Sequence, residues 1–368
     1  MLFNIWLIAS FAYSILLLRW LLRKPFPKTI EASERVSISF AVVFKNEEKH
    51  LLALLSNLKK QNIAEPIDLY FVNDHSTDAS CVLIEQFLSP GIRHTLMLNE
   101  GHGKKEAIEM LMRRVHTDYL VLIDADVSFS EDFLATWIIQ IKKHPVYDIL
   151  QGQVQSASEK ALLQTCMQTE QCMLNALTGL SITNNEAVLL SGANIAIRKA
   201  WFNAAQPYAT NKQILSGDDL FLLEKGPSVG FNADEDSKVL ISQPRFLEEY
   251  IHQRSRWASK TTRVKLPMLH ALGWATFTNM SFRALALPVL ICSLFIPVQR
   301  YYLIASALVL IAHHLIEFLI YRSFTTQKQY TLRLIPVSLF YPFLFLLVFT
   351  NSILRGNKYR KTFARIRR

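Results

Sequence analysis

Two carboxylates stand one residue apart in Asp124-Ala125-Asp126, directly after the apolar run Tyr119-Leu120-Val121-Leu122-Ile123. At that spacing their charges repel, and a hard divalent cation that also holds phosphate would relieve the repulsion. A solvated Asp-x-Asp turn accounts for the pair equally well. Asn73-Asp74 closes a second apolar run. Ser76 or Asp78 can cap the helix that follows, which leaves Asp74 for hydrogen bonds to a base or ribose. Gly101-His102-Gly103-Lys104-Lys105 is a glycine-flanked basic turn opening a helix. Its amides, the helix dipole and Lys104 suit a diphosphate, although the spacing of a Walker loop is missing. Asp218-Asp219 begins another helix, where carboxylates complement the dipole or, held near other acids, serve as a general base.

Gln253, Arg256 and Trp257 fall on one helix. A planar guanidinium can grip phosphate through two bonds, and an indole can stack on a sugar or a lipid. A Trp/Arg belt at a membrane interface explains the same three residues. His313, His314 and Glu317 lie inside an apolar segment, where ionisable groups are either functional or turned into a helix bundle.

These groups need elements that hold them in place. Val36–Phe44, Ile67–Val72, His94–Leu98 and Tyr119–Ile123 read as strands, separated by helices ending near Lys60, Leu88 and Val115. Leu51, Leu52, Leu55 and Leu58 recur at helical spacing in the first of these helices. Strands alternating with helices predict a mostly parallel sheet with right-handed crossovers, and ligands at the carboxyl ends of its strands. Farther on, Ile149–Val154, Ala187–Leu190, Val229–Phe231 and Lys238–Ile241 are expected as strands. Lys160–Leu180 and Arg245–Lys260 are expected as helices, and Ser216 or Asp218 as the cap of the helix at Asp218-Asp219.

Of 368 residues, 51% are hydrophobic and only 19% charged, with the apolar excess at the two ends. Residues 2–18 are apolar and are followed by Arg19, which predicts a transmembrane anchor over 1–22 with its basic flank in the cytosol. A cytosolic domain is expected over 30–262, membrane helices over 263–353, and a basic cytosolic tail over 354–368. Apolar segments cover roughly 271–298, 301–320 and 334–350. Three full crossings would carry the tail outside, so one of them is expected to be interfacial or re-entrant. The net charge of +10 gathers beside these segments, which points to anionic headgroups rather than nucleic acid. Four cysteines without paired spacing fit a reduced compartment.

Taken in order, several motifs together resemble the membrane-bound glycosyltransferases of family 2. That group includes cellulose, hyaluronan and poly-N-acetylglucosamine synthases and ceramide glucosyltransferases. They are Phe44-Lys45-Asn46-Glu47-Glu48, Val72 to Asp78, Gly103-Lys104-Lys105-x-Ala107, Asp124-Ala125-Asp126, Ser216-Gly217-Asp218-Asp219 and Gln253 to Trp257. The resemblance covers roughly Val36 to Trp257 and implies an α/β GT-A fold: a Rossmann-like mixed sheet with N- and C-terminal transmembrane or interfacial helices. By analogy, Asp74 contacts the nucleoside with help from Glu47, and Lys104 and Asp124 lie at the nucleotide-sugar. Asp126, with Asp124 as the DxD pair, binds the Mg²⁺ or Mn²⁺ that bridges the diphosphate. Asp219, beside Asp218, is the base, acting with inversion at the anomeric carbon. Gln253, Arg256 and Trp257 form the QxxRW motif and, with Gly192 and Asn194, hold the leaving diphosphate and the acceptor. Val43-Phe44, Asn73 and Asp218 depart from the family's usual residues and leave the donor base and sugar open.

The implied partners are a UDP- or GDP-sugar, a lipid or glycan acceptor, and the membrane. A lipid glycosyltransferase is favoured over a processive polysaccharide synthase, because three C-terminal segments make only a small channel. A non-catalytic scaffold should have lost some of the acids, and a transporter should have more apolar helices.

Overall fold

A computed structural model of the chain describes residues 2–22, 36–157, 161–214, 217–261, 263–292, 300–324 and 334–365. It divides into two compact units, one comprising Pro25–Ala157 and Ser181–Ser242, the other Met1–Lys24, Ser158–Leu180 and Gln243–Arg368. Ser216, a candidate cap, lies outside the described residues.

The first unit is built on a seven-stranded sheet. Strands β1 (Ile38–Phe44), β2 (Ile67–Asn73), β3 (Ile92–Leu98) and β4 (Tyr119–Ile123) pair in parallel in the order β3-β2-β1-β4. Helices α2 (Glu48–Lys59), α3 (Ser80–Glu85) and α4 (Lys104–Arg114) connect them. All five residues of β4 are buried, as a strand covered on both faces requires. Short strand β5 (Val127–Ser128) and helix α5 (Phe133–Lys143) follow. Phe133, Trp137 and Ile141 of α5 recur every four residues and bury one stripe against the sheet.

Beyond β4 the sheet changes direction. Strand β6 (Ile149–Gly152), β8 (Asn194–Arg198) and β9 (Val229–Asn232) extend the order to β4-β8-β6-β9, with β8 antiparallel to both β4 and β6. Strand β7 (Val154–Ser156) joins β5 and β10 (Val239–Ile241) in a small second sheet. The strand expected at Ala187–Leu190 is a coil whose Val188 and Leu190 are nonetheless buried; the pairing strand lies at Asn194–Arg198. A short apolar run marks burial and does not by itself choose which residues find a neighbour to pair with. Helices α7 (Lys199–Ala205) and α8 (Asp218–Leu223) complete the unit.

The second unit is helical: α1 (Leu2–Leu22), most of α6 (Leu162–Thr183), α9 (Leu247–Thr261), α10 (Pro267–Cys292), α11 (Arg300–Phe324) and α12 (Leu334–Arg365). Among the described residues, Leu303–Ile320 and Val337–Leu354 are long and apolar enough to cross a membrane. Polar side chains cross-link these helices. Ser14 Oγ lies 3.0 Å from His313 Nδ1, and Arg283 pairs with Glu317. His314 Nδ1 lies 3.2 Å from Ser338 Oγ, so both histidines turn toward neighbouring helices. Pro342 sits inside α12 and has no N–H for the Ser338 carbonyl four residues earlier. Arg283 Nη2 donates to that carbonyl at 2.9 Å. The arginine that interrupts one apolar segment thus repairs the backbone bond that a proline removes from another.

Candidate active site

The register of β4 against β8 sets Ile123 opposite Asn194, and the Asp124 amide donates to Ala193 O at 3.3 Å. Antiparallel pairing therefore brings the start of β8 to the end of β4, and Gly192 beside Asp124. Lys104, in the first turn of α4, joins them. Its Nζ donates to Asp124 Oδ1 at 2.5 Å and to Gly192 O at 2.9 Å, and lies 3.5 Å from Asp218 Oδ2. A Cβ on Gly192 would stand 2.7 Å from Asp218 Oδ2 and 3.1 Å from Lys104 Nζ. Asp218 and Asp219 occupy the first turn of α8, after Gly217, whose φ of 91° favours glycine.

Charge at this point is strongly acidic. Burial works against the Lys104 ammonium, but Asp124, Asp218 and Asp219 outweigh it and hold the lysine charged. Burial raises the Asp124 carboxyl, Asp126 and Asp218 add to the rise, and the Lys104 ammonium opposes it without cancelling the cost of burial. Asp126 is exposed in area, yet nearby atoms strip water from its carboxyl and Glu47 adds like charge, so it too is raised. Four carboxylates around one ammonium is an arrangement that a hard divalent cation fits, since it would compensate the burial of their charge and relieve their mutual repulsion.

Asp74 has a structural duty that its sequence context does not reveal. It is 6% exposed, and its Oδ1 accepts from Asn99 Nδ2 at 2.7 Å and from the Gly103 amide at 2.8 Å. Its Oδ2 faces Lys45 at 3.9 Å. The turn before α4 spends its other amides as well: Gly101 N donates to Asn99 Oδ1, and His102 N donates to Glu106 Oε2. The turn amides of Gly101, His102 and Gly103 are satisfied by side chains, those of Asn99, Glu106 and Asp74, of which Asp74 and Asn99 directly follow the neighbouring strands β2 and β3. The Glu47 side chain makes no capping bond to α2; its Oε2 lies 2.7 Å from His50 Nδ1. Asp74, His75 and His102 place one ligand atom each within 4.8 Å of one another, and His75 Nε2 already bonds Gly101 O.

Asn194 is completely buried. Its Nδ2 donates to Gln153 O and Ser237 O, and its Oδ1 accepts from Trp137 Nε1 at 3.1 Å. It supports the start of β8 and has no donor left for a ligand. Gln151 performs a similar service, accepting from the Ser191 amide at 2.8 Å while donating to Asn194 O. Neither Asn99 nor Gln151 stands out in the sequence, because an amide in a strand or loop carries no periodic signal.

The residues of α9 lie in the helical unit. Arg256 is exposed, whereas Arg254 is the buried arginine, at 5%. The Arg254 guanidinium stacks 4.0 Å from the Trp257 ring centroid, donates from Nη1 to Gln253 Oε1 at 2.8 Å, and donates from Nε to Glu170 Oε2 at 2.6 Å. Tyr341 OH donates to Glu170 Oε1 at 2.8 Å. Burial opposes the Arg254 charge, and Glu170 outweighs it. The cation against the indole is thus Arg254, which the reading of Gln253, Arg256 and Trp257 passes over.

Residues 39–205 match the Glycosyl transferase family 2 model. No curated protein matches the chain. Among solved structures, the mannosyltransferase PcManGT from Pyrobaculum calidifontis, in complex with GDP-Man and Mn²⁺, is 18% identical. The similarity covers 92% of this chain and 99% of that one, with a TM-score of 0.57. TarS of S. aureus in complex with UDP is 14% identical over 89% of this chain and 92% of its own, with a TM-score of 0.43. Glucosyl-3-phosphoglycerate synthase from Mycobacterium tuberculosis is 15% identical over 63% and 82%, with a TM-score of 0.41. At these identities the first likeness shows a shared fold and the other two add nothing to it. The segment matched by the family model contains β2 through β8 with Lys104, Asp124 and Asp126, and the chain shares its fold with the mannosyltransferase.

Proposed function

We propose that this protein is an inverting, metal-dependent hexosyltransferase that moves a sugar from a UDP- or GDP-sugar to a lipid or membrane-associated glycan. The observation that carries the reading is Lys104, whose ammonium joins Asp124 at the end of β4, the Gly192 carbonyl and Asp218 at the start of α8. Residues remote in sequence meet there in a cluster with more negative charge than it can hold unaided.

Asp126 and Asp124 would hold Mg²⁺ or Mn²⁺, which supplies positive charge for a departing diphosphate. Asp219 takes the proton of the attacking acceptor hydroxyl, a role that needs an ionised carboxylate within hydrogen-bond reach. Lys104 stays charged beside it and orients Asp218 and Asp124. Asp74 and Glu47 serve the nucleoside, Asp74 through Oδ2, since Oδ1 is already spent on Asn99 and Gly103. The resemblance alone assigns the leaving diphosphate to Arg256 and the acceptor to Trp257, with Gln253 beside them. The two apolar helices support association with a membrane, and the basic residue flanking α1, Arg19, favours a cytosolic catalytic domain. Addition of one or a few sugars is favoured over processive synthesis.

The test incubates membranes carrying the protein with a panel of UDP- and GDP-sugars, with and without Mg²⁺ or Mn²⁺, beside Asp219→Asn. Metal-dependent labelling of a lipid fraction, reduced by roughly 10² to 10⁴-fold in the variant, is expected for loss of a general base. Equal labelling by Asp219→Asn removes the base assignment, and long polymer as the product favours the processive reading.

A further inference from the structure

Lys105 follows the lysine of the candidate site, and the site does not use it. It is 3% exposed, although a lysine is almost never buried unless paired. Its Nζ donates to the backbone O of Asn211 at 2.6 Å and to Asn211 Oδ1 at 2.6 Å. The ammonium also lies over the rings of Phe221, at 4.4 Å, and Tyr208, at 5.7 Å. Asn211 is itself buried, and its Nδ2 donates to Pro207 O at 2.9 Å. Tyr208 OH donates to the backbone O of Asp218 at 3.0 Å. Phe221 belongs to α8, three residues after Asp218.

These bonds form one closed structure. Lys105 grips the 207–211 turn, the turn presents Tyr208, and Tyr208 fixes the backbone of Asp218, while the same ammonium packs against α8 through Phe221. We propose that Lys105 is a positioning residue that sets Asp218 and Asp219 against Lys104 by locking the Pro207–Asn211 turn and α8 onto the first turn of α4. The inference rests on Asp219 as the base, but concerns a residue to which the proposed reaction assigns nothing. Consecutive lysines on α4 then divide the labour: Lys104 meets the carboxylates from the site side, and Lys105 holds their backbone from behind.

The ammonium is held in an apolar slot, so burial lowers the Lys105 pKa to about 8. Asp218 on α8, Glu109 and Glu106 on α4, and Glu224 just after α8 oppose that fall, and Tyr208 faces the same group. Above about pH 8 the amine is neutral and its hold on the Asn211 oxygens weakens. An alkaline limb in kcat near that pH follows, with nucleotide binding unaffected.

The experiment compares the full chain with Lys105→Met, Asn211→Leu, the double variant, and Asn211→Asp. Lys105→Met is expected to lower kcat at least tenfold, with donor KM and metal-dependent nucleotide affinity within twofold of the parent. Asn211→Leu should act in the same way, and the double variant should be no worse than either single one. Asn211→Asp adds no volume and sets a carboxylate against the ammonium, so it should move the alkaline limb upward by about a pH unit. It also keeps the test decisive if Lys105→Met does not fold. Hydrogen exchange reads the same device without turnover: amides of 218–223 should exchange at least tenfold faster in Lys105→Met. Unchanged exchange there, an unmoved alkaline limb in Asn211→Asp, or equal losses of kcat and nucleotide affinity each overturn the proposal. Parent protein that transfers no sugar while the exchange result holds would instead remove the transferase reading and leave the lock standing.

Discussion

At the scale of single residues, Asp126 and Gly192 give the sharpest expectations. Asp126 is raised by lost hydration and by Glu47, so the folded chain resists ionising it. A carboxyl that ionises later in the folded chain than in the unfolded one lowers stability as pH rises through that interval, and a bound cation reverses the loss. Mn²⁺ should therefore raise the melting temperature at neutral pH, and by less as pH falls and protons compete. Asp126→Asn should hold or raise the metal-free melting temperature and abolish the Mn²⁺ response, as read by differential scanning calorimetry. Gly192→Ala would drive a methyl to within 2.7 Å of Asp218 Oδ2. A displacement approaching 1 Å at reacting groups can cost about a hundredfold in rate. A loss of that order in kcat, with normal expression, is the expected result. Asp124, Asp126, Asp218 and Lys104 were legible as motifs because charged residues at strand and helix ends stand out against apolar runs. The duty of Asp74 was not, because it depends on Asn99, a neighbour only through the parallel register of β2 and β3. Lys105 had a trace, since Ile108 and Met112 follow it at helical spacing on the buried side of α4.

At the scale of elements, the repair between α10 and α12 can be tested directly. Arg283 pairs with Glu317 and donates to the carbonyl of Ser338, four residues before Pro342, which has no N–H to offer it. Arg283→Gln strands Glu317, and breaking a buried pair in this way costs about 3–5 kcal/mol. Pro342→Ala restores an N–H for Ser338 O. In the Arg283→Gln background it should recover part of the loss, about 1 kcal/mol for one hydrogen bond, in thermal unfolding of the purified full chain. Additivity of the two changes would mean that the bonds are unrelated. The parallel strands β1 to β4 and their helices were readable from the alternation of apolar runs. The antiparallel β8 was not, because Ala187–Leu190 and Asn194–Arg198 are both short and apolar, and only the open edge of β4 decides between them. Helix α5 was readable in principle, from Phe133, Trp137 and Ile141, and was masked by its nearness to the acidic pair.

At the scale of the whole molecule, two apolar helices and a net charge of +10 bear on where the chain resides. The full chain is expected to stay with the membrane pellet through an alkaline carbonate wash; release into the supernatant would oppose an integral placement. The apolar excess at both ends was plain in composition. That both ends belong to one compact unit, together with Ser158–Leu180, was not, since no local pattern joins segments so far apart. That division has a consequence for how the protein is made. Ser14 meets His313 across 299 residues of chain. At about 5–20 residues per second, α1 leaves the ribosome roughly 15–60 s before its partner exists. For that time the first helix must be sheltered by lipid or a chaperone, while the unit built on the seven-stranded sheet can mature ahead of it. A nascent chain stalled near residue 245 should accordingly show a protease-resistant sheet attached to an unpartnered leader.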